Sequence, residues 1–179
     1  MGSPSDEALM EEFRAGQLDA FEVLFARHSR RVHGFLARMV RDGPLAEDLL
    51  QTTFLSVIRA RGRFEPGTRF APWLLTIAAN AARDALKHQR HVHAYVQERP
   101  RGPGTPADSS DAWEVRHQLE DALQQLPPEQ REAVVLSKIE GWSFEEIAEL
   151  RGISAGAARL RAHRGYERLR SLLGEMETV

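Results

Sequence analysis

Cysteine is absent, which excludes disulfides and thiolate metal ligation and leaves the compartment open. No apolar run approaches the ~20 residues that cross a membrane. The opening residues, MGSPSDEALMEEF, lack the basic-then-apolar order of a secretion signal, so a cytoplasmic protein is the expectation. No segment alternates apolar and polar residues as a half-buried strand would. Also missing are a Ser-His-Asp constellation, a phosphate-cradling glycine loop and a paired-acid motif. Nothing in the sequence therefore argues for catalysis, for a metal or for any other cofactor. His88, His91 and His93 are compactly spaced, but no glutamate or cysteine accompanies them. They read as the basic end of a helix rather than a metal site.

What is present is helical periodicity and an apolar fraction of 42%, enough for a core without staples. Asp19 is placed to cap a helix burying Phe21, Leu24, Phe25, Val32, Phe35, Leu36 and Met39, ended by Asp42-Gly43-Pro44. A second helix runs from about residue 45 to 61 with Leu49, Leu50, Phe54, Val57 and Ile58 inward. The loop GRFEPGTRF follows. A third helix begins near Pro72 and packs Trp73, Leu74, Ile77, Ala78, Ala81 and Ala85. Residues 98–111, ERPRGPGTPADSSD, have almost nothing to bury and the composition of a tether. Fully extended, it would reach ~45–50 Å. Helices at about 112–125 and 128–139 come next, the latter opened by Pro128, which suits a first helical turn. The expected architecture is all-α: two small helical domains, 1–95 and 113–179, joined by a flexible linker at 96–112.

The last part of the chain is the most specific. Ser143 and Glu146 form a capping box for a helix with Phe144, Ile147, Ala148 and Leu150 on its buried side. Gly152 can leave that helix through a left-handed turn, and Ser154 can cap the next one. A short helix, a tight turn and a helix carrying Arg159, Arg161, Arg164, Arg168 and Arg170 are the parts of a DNA-reading helix-turn-helix. The net charge of −2 looks unsuited to nucleic acid until it is mapped. Residues 151–170 hold six arginines and one acid, and residues 27–41 hold five arginines and no acid. Phosphates respond to that local charge rather than to the total.

With these residues in view, the chain resembles a sigma factor of bacterial RNA polymerase, of the extracytoplasmic-function group that keeps only the second and fourth sigma domains. The resemblance rests on Leu45–Gln51 with Phe54, on Trp73-Leu74, Ile77-Ala78, Asn80 and Asp84, and on Leu126-Pro127, Arg131, Glu140-Gly141, Ser143, Glu146-Ile147-Ala148, Gly152-Ile153-Ser154 and Gly156. Their order and spacing are strongly specific together, though each is weak alone.

The resemblance implies a transcription initiation factor that binds core RNA polymerase and reads the −10 and −35 elements of promoter DNA. Glu47, Asp48, Leu50 and Gln51 would meet a coiled-coil element of the polymerase clamp. Thr52 departs from the acid usual there. The loop at 62–71 would hold a base flipped from the −10 element, with Phe64, Arg69 and Phe70 supplying stacking and charge. Asn80, Arg83 and Lys87 would contact the exposed strand. Phe64 and Phe70 read equally well as core.

Ser154, Ala155, Gly156, Ala157, Arg159, Arg161, Arg164 and Arg168 would face the −35 element. Arg159 is first choice for base reading; Arg164 and Arg168 suit phosphates. Ala157, Leu160 and Ala162 depart from the family pattern, and Gly165 sits inside the helix at a cost of ~1 kcal/mol. Leu160 either meets a thymine methyl or marks a shifted packing register. An anti-sigma protein is the further partner implied. The rival reading is a free-standing dimeric helix-turn-helix regulator, with residues 1–95 as its dimerisation or sensor domain.

Overall fold

The computed structural model describes residues 3–93 and 111–176, and every regular element among them is helical. The chain divides into two compact units, residues 1–100 and 101–179. Most of the expected linker, and Trp113's side chain with those of His91 and His93, lie outside what is described.

The first unit comprises α1 (Asp6–Arg14), α2 (Leu18–Val40), α3 (Gly43–Ala60) and α4 (Phe70–His93), with a single 3-10 turn at Arg61–Arg63. Helix α1 is not among the elements read from the sequence. It forms because Ser5 caps it, accepting from the Ala8 amide at 3.1 Å, and because Leu9, Met10 and Phe13 share a face that is fully buried. Helix α2 begins one residue earlier than Asp19, at Leu18, and no side chain caps it. It ends at Arg41, which adopts the left-handed conformation at φ 56°. Asp42 then caps α3 through the Leu45 amide at 2.9 Å. Phe21, expected in the core, is half-buried at its edge, with its ring 5.0 Å from that of Phe13 and 6.1 Å from that of Phe54. Phe25, expected in the core, packs edge-on to Phe54 at 4.7 Å yet stays 41% exposed.

Two carboxylates tie α1 to the rest of this unit. Asp6 accepts from Arg27 at 2.8 Å and meets His28 Nε2 at 2.7 Å. Glu7 accepts from the Phe70 amide at 3.1 Å. Burial pushes the Asp6 pKa up, but the hydrogen bonds from Arg27 and His28 outweigh it and hold the carboxyl below its ordinary value. The Phe70 amide, chiefly, lowers Glu7 in the same way. Depressed folded-state values make these contributions complete above the unfolded pKa and remove them as pH falls through the folded one. Unfolding by urea should therefore require less denaturant as pH drops from about 5 to about 3. The Glu7→Gln variant should show a shallower dependence, and an identical slope would dissociate Glu7 from the effect.

The second unit comprises α5 (Asp111–Gln124), α6 (Pro128–Val134), a π turn at Val135–Ile139, α7 (Phe144–Arg151) and α8 (Ala155–Met176). Arg131 is buried, and its guanidinium donates to the carbonyls of Leu123, Gln124 and Leu126 at 3.0, 3.0 and 3.1 Å. It closes the C-terminal end of α5, whose last carbonyls have no helical partner. Glu132, also buried, pairs with Arg151 at 3.2 Å and fastens α7 to α6. Leu119, expected inward, is 38% exposed.

A candidate nucleic-acid and polymerase interface

In the second unit the local geometry follows from short-range chemistry. The Ser143 amide donates to Glu146 at 2.8 Å and the Glu146 amide to Ser143 Oγ at 3.1 Å, completing the capping box. Gly152 turns at φ 60°, and Ser154 Oγ accepts from the Ala157 amide at 3.1 Å to cap α8. Ser154's hydroxyl is thus engaged in holding the helix whose face it was expected to extend.

The faces of α8 are sharply divided. Ala158, Ala162, Gly165 and Leu169 are buried. Gly156, Arg159, Leu160, Arg164 and Arg168 are exposed, with Ala155 and Ala157 half-buried at the helix start. Leu160 points outward at 47% exposure, so the shifted-register reading fails: the packing register is carried by the small residues on the opposite side. Gly165 explains itself there. A Cβ at this position would lie 2.6 Å from Val134 Cγ2 and 3.3 Å from the Gln130 carbonyl oxygen. Only glycine lets α6 and α8 come this close.

The arginines differ in their engagements. Arg159 lies over the Phe144 ring with its Cζ 5.4 Å from the centroid, a contact that braces the guanidinium beside α7. Arg161 pairs with Glu129 at 3.1 Å and its side chain is only 28% exposed. Glu129 also reaches Arg151, at 3.5 Å. Any phosphate approaching Arg161 therefore competes with an ion pair that the spacing of the sequence did not reveal, because Glu129 lies on another helix.

In the first unit, α3 turns Ala46, Leu49, Thr53, Phe54 and Val57 inward. Glu47, Asp48 and Gln51 are exposed and Leu50 is half-buried. Leu55, on the same outer side, is 50% exposed and was not singled out by the sequence. On α4, Asn80 and Lys87 are exposed, and Arg83, half-buried, donates to Asn80 Oδ1 at 2.9 Å. Positions 80, 83 and 87 share a face by helical spacing.

Two of the expected contact residues are buried instead. Phe64 is 2% exposed and Phe70 fully buried, so neither ring can stack on a base. Phe70 is not in the loop at all but is the first residue of α4. Their rings pack 6.3 Å apart, with Trp73 5.2 Å from Phe64, as the floor beneath the loop. Arg69 remains on the surface.

Both units match known families. Residues 24–92 match Sigma-70 region 2, and residues 116–169 match Sigma-70, region 4. The RNA polymerase sigma factor CarQ of Myxococcus xanthus is 72% identical over 169 residues, 94% of this chain and 97% of the relative. This chain belongs to the extracytoplasmic-function group of RNA polymerase sigma factors. A second relative, the ECF RNA polymerase sigma factor SigM of Mycobacterium tuberculosis, is 33% identical and aligns over 97% of this chain and 87% of its own. Among solved structures, the sigma factor RpoE in complex with the anti-sigma factor NepR from Bartonella quintana matches with a TM-score of 0.71. It is 26% identical, and the match covers 86% of this chain and 96% of that one. The family is one of non-catalytic initiation factors, and its reach across both units displaces the free-standing regulator. Among the described residues no helix is long and apolar enough to cross a membrane.

Proposed function

We propose that this sigma factor divides its work between the faces described above. The outer side of α3, through Glu47, Asp48, Leu50 and Gln51, docks on core RNA polymerase. Arg69 with Asn80, Arg83 and Lys87 engages the opened −10 strand, and Phe64 and Phe70 support that surface from below. The exposed side of α8 enters the major groove at the −35 element. What carries this last assignment is the division of α8 into a buried side of mainly small residues and an outer side with Arg159, Leu160, Arg164 and Arg168. Arg159 reads a base, Leu160 offers an apolar contact suited to a thymine methyl, and Arg164 and Arg168 take phosphates. Arg161 joins them only by exchanging Glu129 for DNA.

The place of action is the bacterial cytoplasm, where polymerase and promoters are. The likeness to a sigma factor in complex with an anti-sigma factor supports a similar protein partner here. Co-migration with core RNA polymerase on a sizing column is the direct test of the assignment. In the assembled holoenzyme, Arg159→Ala should reduce preference for one −35 base pair by about 1–3 kcal/mol while polymerase affinity is unchanged. Equal losses on every −35 sequence would reassign Arg159 to a phosphate.

A further inference from the structure

Helix α1 touches both ends of the loop that leads into α4. At the near end, Arg61 lies with its Cζ 5.5 Å from the centroid of the Phe13 ring. At the far end, Glu7 accepts from the amide of Phe70, the first residue of α4. Residue 69, immediately before that helix, is an arginine, which has no acceptor with which to cap it. The missing acceptor comes from a side chain 63 positions away in sequence. A carboxylate is favoured at a helix N-terminus by the local dipole as well as by the hydrogen bond. The amide in turn depresses the Glu7 pKa, as expected of a carboxylate held in this role. A second tie runs alongside: Asp6 contacts His28, whose ring packs 5.3 Å from Phe70. Between the two anchors, Glu65, Pro66, Gly67 and Arg69 are exposed, and Gly67 turns at φ 85°.

We propose that Glu7 is a positioning residue for −10 recognition: by capping α4 from outside, with Phe13 bracing Arg61, α1 fixes the geometry of the loop at 62–69. The inference rests on the reading that this loop engages the −10 strand. Such a brace acts on selectivity. A loop held at both ends presents one shape to a flipped base, whereas a loop freed at one end accommodates several at similar cost.

The test uses holoenzyme assembled from core RNA polymerase and the full chain. Its template pool is randomised across the −10 element, and transcripts are sequenced to give base preferences at each position. Glu7→Ala should lower the preference at the loop-read position by about fivefold, the effect of losing one helix cap. Glu7→Gln keeps an acceptor and should recover most of it. Polymerase affinity should stay within about twofold for both, because α3 is not altered. A uniform fall in transcription with unchanged base preferences would overturn the proposal, leaving α1 as a structural prop only. So would a loss that Glu7→Gln shares in full. A companion variant, Arg69→Ala, tests the underlying reading. If it leaves every −10 preference intact the loop is not the reader, and both fall. If it alters them while Glu7→Ala does not, only the role of α1 is lost.

Discussion

Replacing Gly165 by leucine is expected to abolish promoter-directed transcription by unfolding the second unit, while association with core polymerase through α3 persists in weakened form. Even a methyl group here meets Val134 at 2.6 Å, and a β-branched neighbour cannot swing aside. Overpacking a filled interface costs about 1–3 kcal/mol for added methylenes and more when a whole side chain is forced in. A small helical unit has only about 5 kcal/mol to lose. Alanine provides a sign test. On a solvated helix face, glycine to alanine would stabilise by ~1 kcal/mol. At position 165 the contact with Val134 should more than offset that gain, lowering the melting temperature of the unit. A leucine variant that melts with the natural protein would refute the close approach of α6 and α8.

The second large effect is expected on α3. Asp48→Ala combined with Gln51→Ala should weaken binding to core polymerase by about 2–5 kcal/mol, roughly 30-fold to several thousand-fold in Kd. The cost comes mainly from leaving the partner's donors buried and unpaired rather than from lost attraction. Both side chains are exposed in the free chain, so its melting curve should barely move. Titration of labelled protein against core polymerase measures the loss directly. A change below about threefold would remove Asp48 and Gln51 from the docking surface and turn the test to Leu55, exposed on the same side of α3.

The contrast between these variants follows the sequence range of the interactions on which each depends. Local chemistry was legible. The capping box at Ser143 and Glu146, the left-handed turn at Gly152, the Ser154 cap and Pro128 at a helix start all depend on residues within a few positions of one another. Helical periodicity likewise gives most of the inward sides of α2 and α3; at the edges of the stripes Phe25 is exposed and Phe21, Leu50 and Ile58 are half-buried. Helix α1 carries the same kind of signal, a serine followed by acids and then Leu9, Met10 and Phe13.

Other features could not be read because their cause lies across the fold. An aromatic residue in a loop has the same sequence signature whether it stacks on a base or fills a core. Burial of Phe64 and Phe70 was decided by the approach of Trp73, His28 and α1. By local propensity alone Gly165 is a defect in a helix; Val134 and Gln130 packed against it make it a requirement. Spacing along α8 makes Arg161 as available as Arg159, but Glu129 on α6 engages it. By itself, the sequence determined the all-helical class, the two-part organisation, the family and the outward acidic and basic faces, because periodicity, caps and spaced motifs are encoded over short distances. Only the tertiary structure decided which aromatics are buried, which arginines are already paired, and how Glu7 comes to cap a helix that begins 63 residues later, because each depends on side chains brought together by packing.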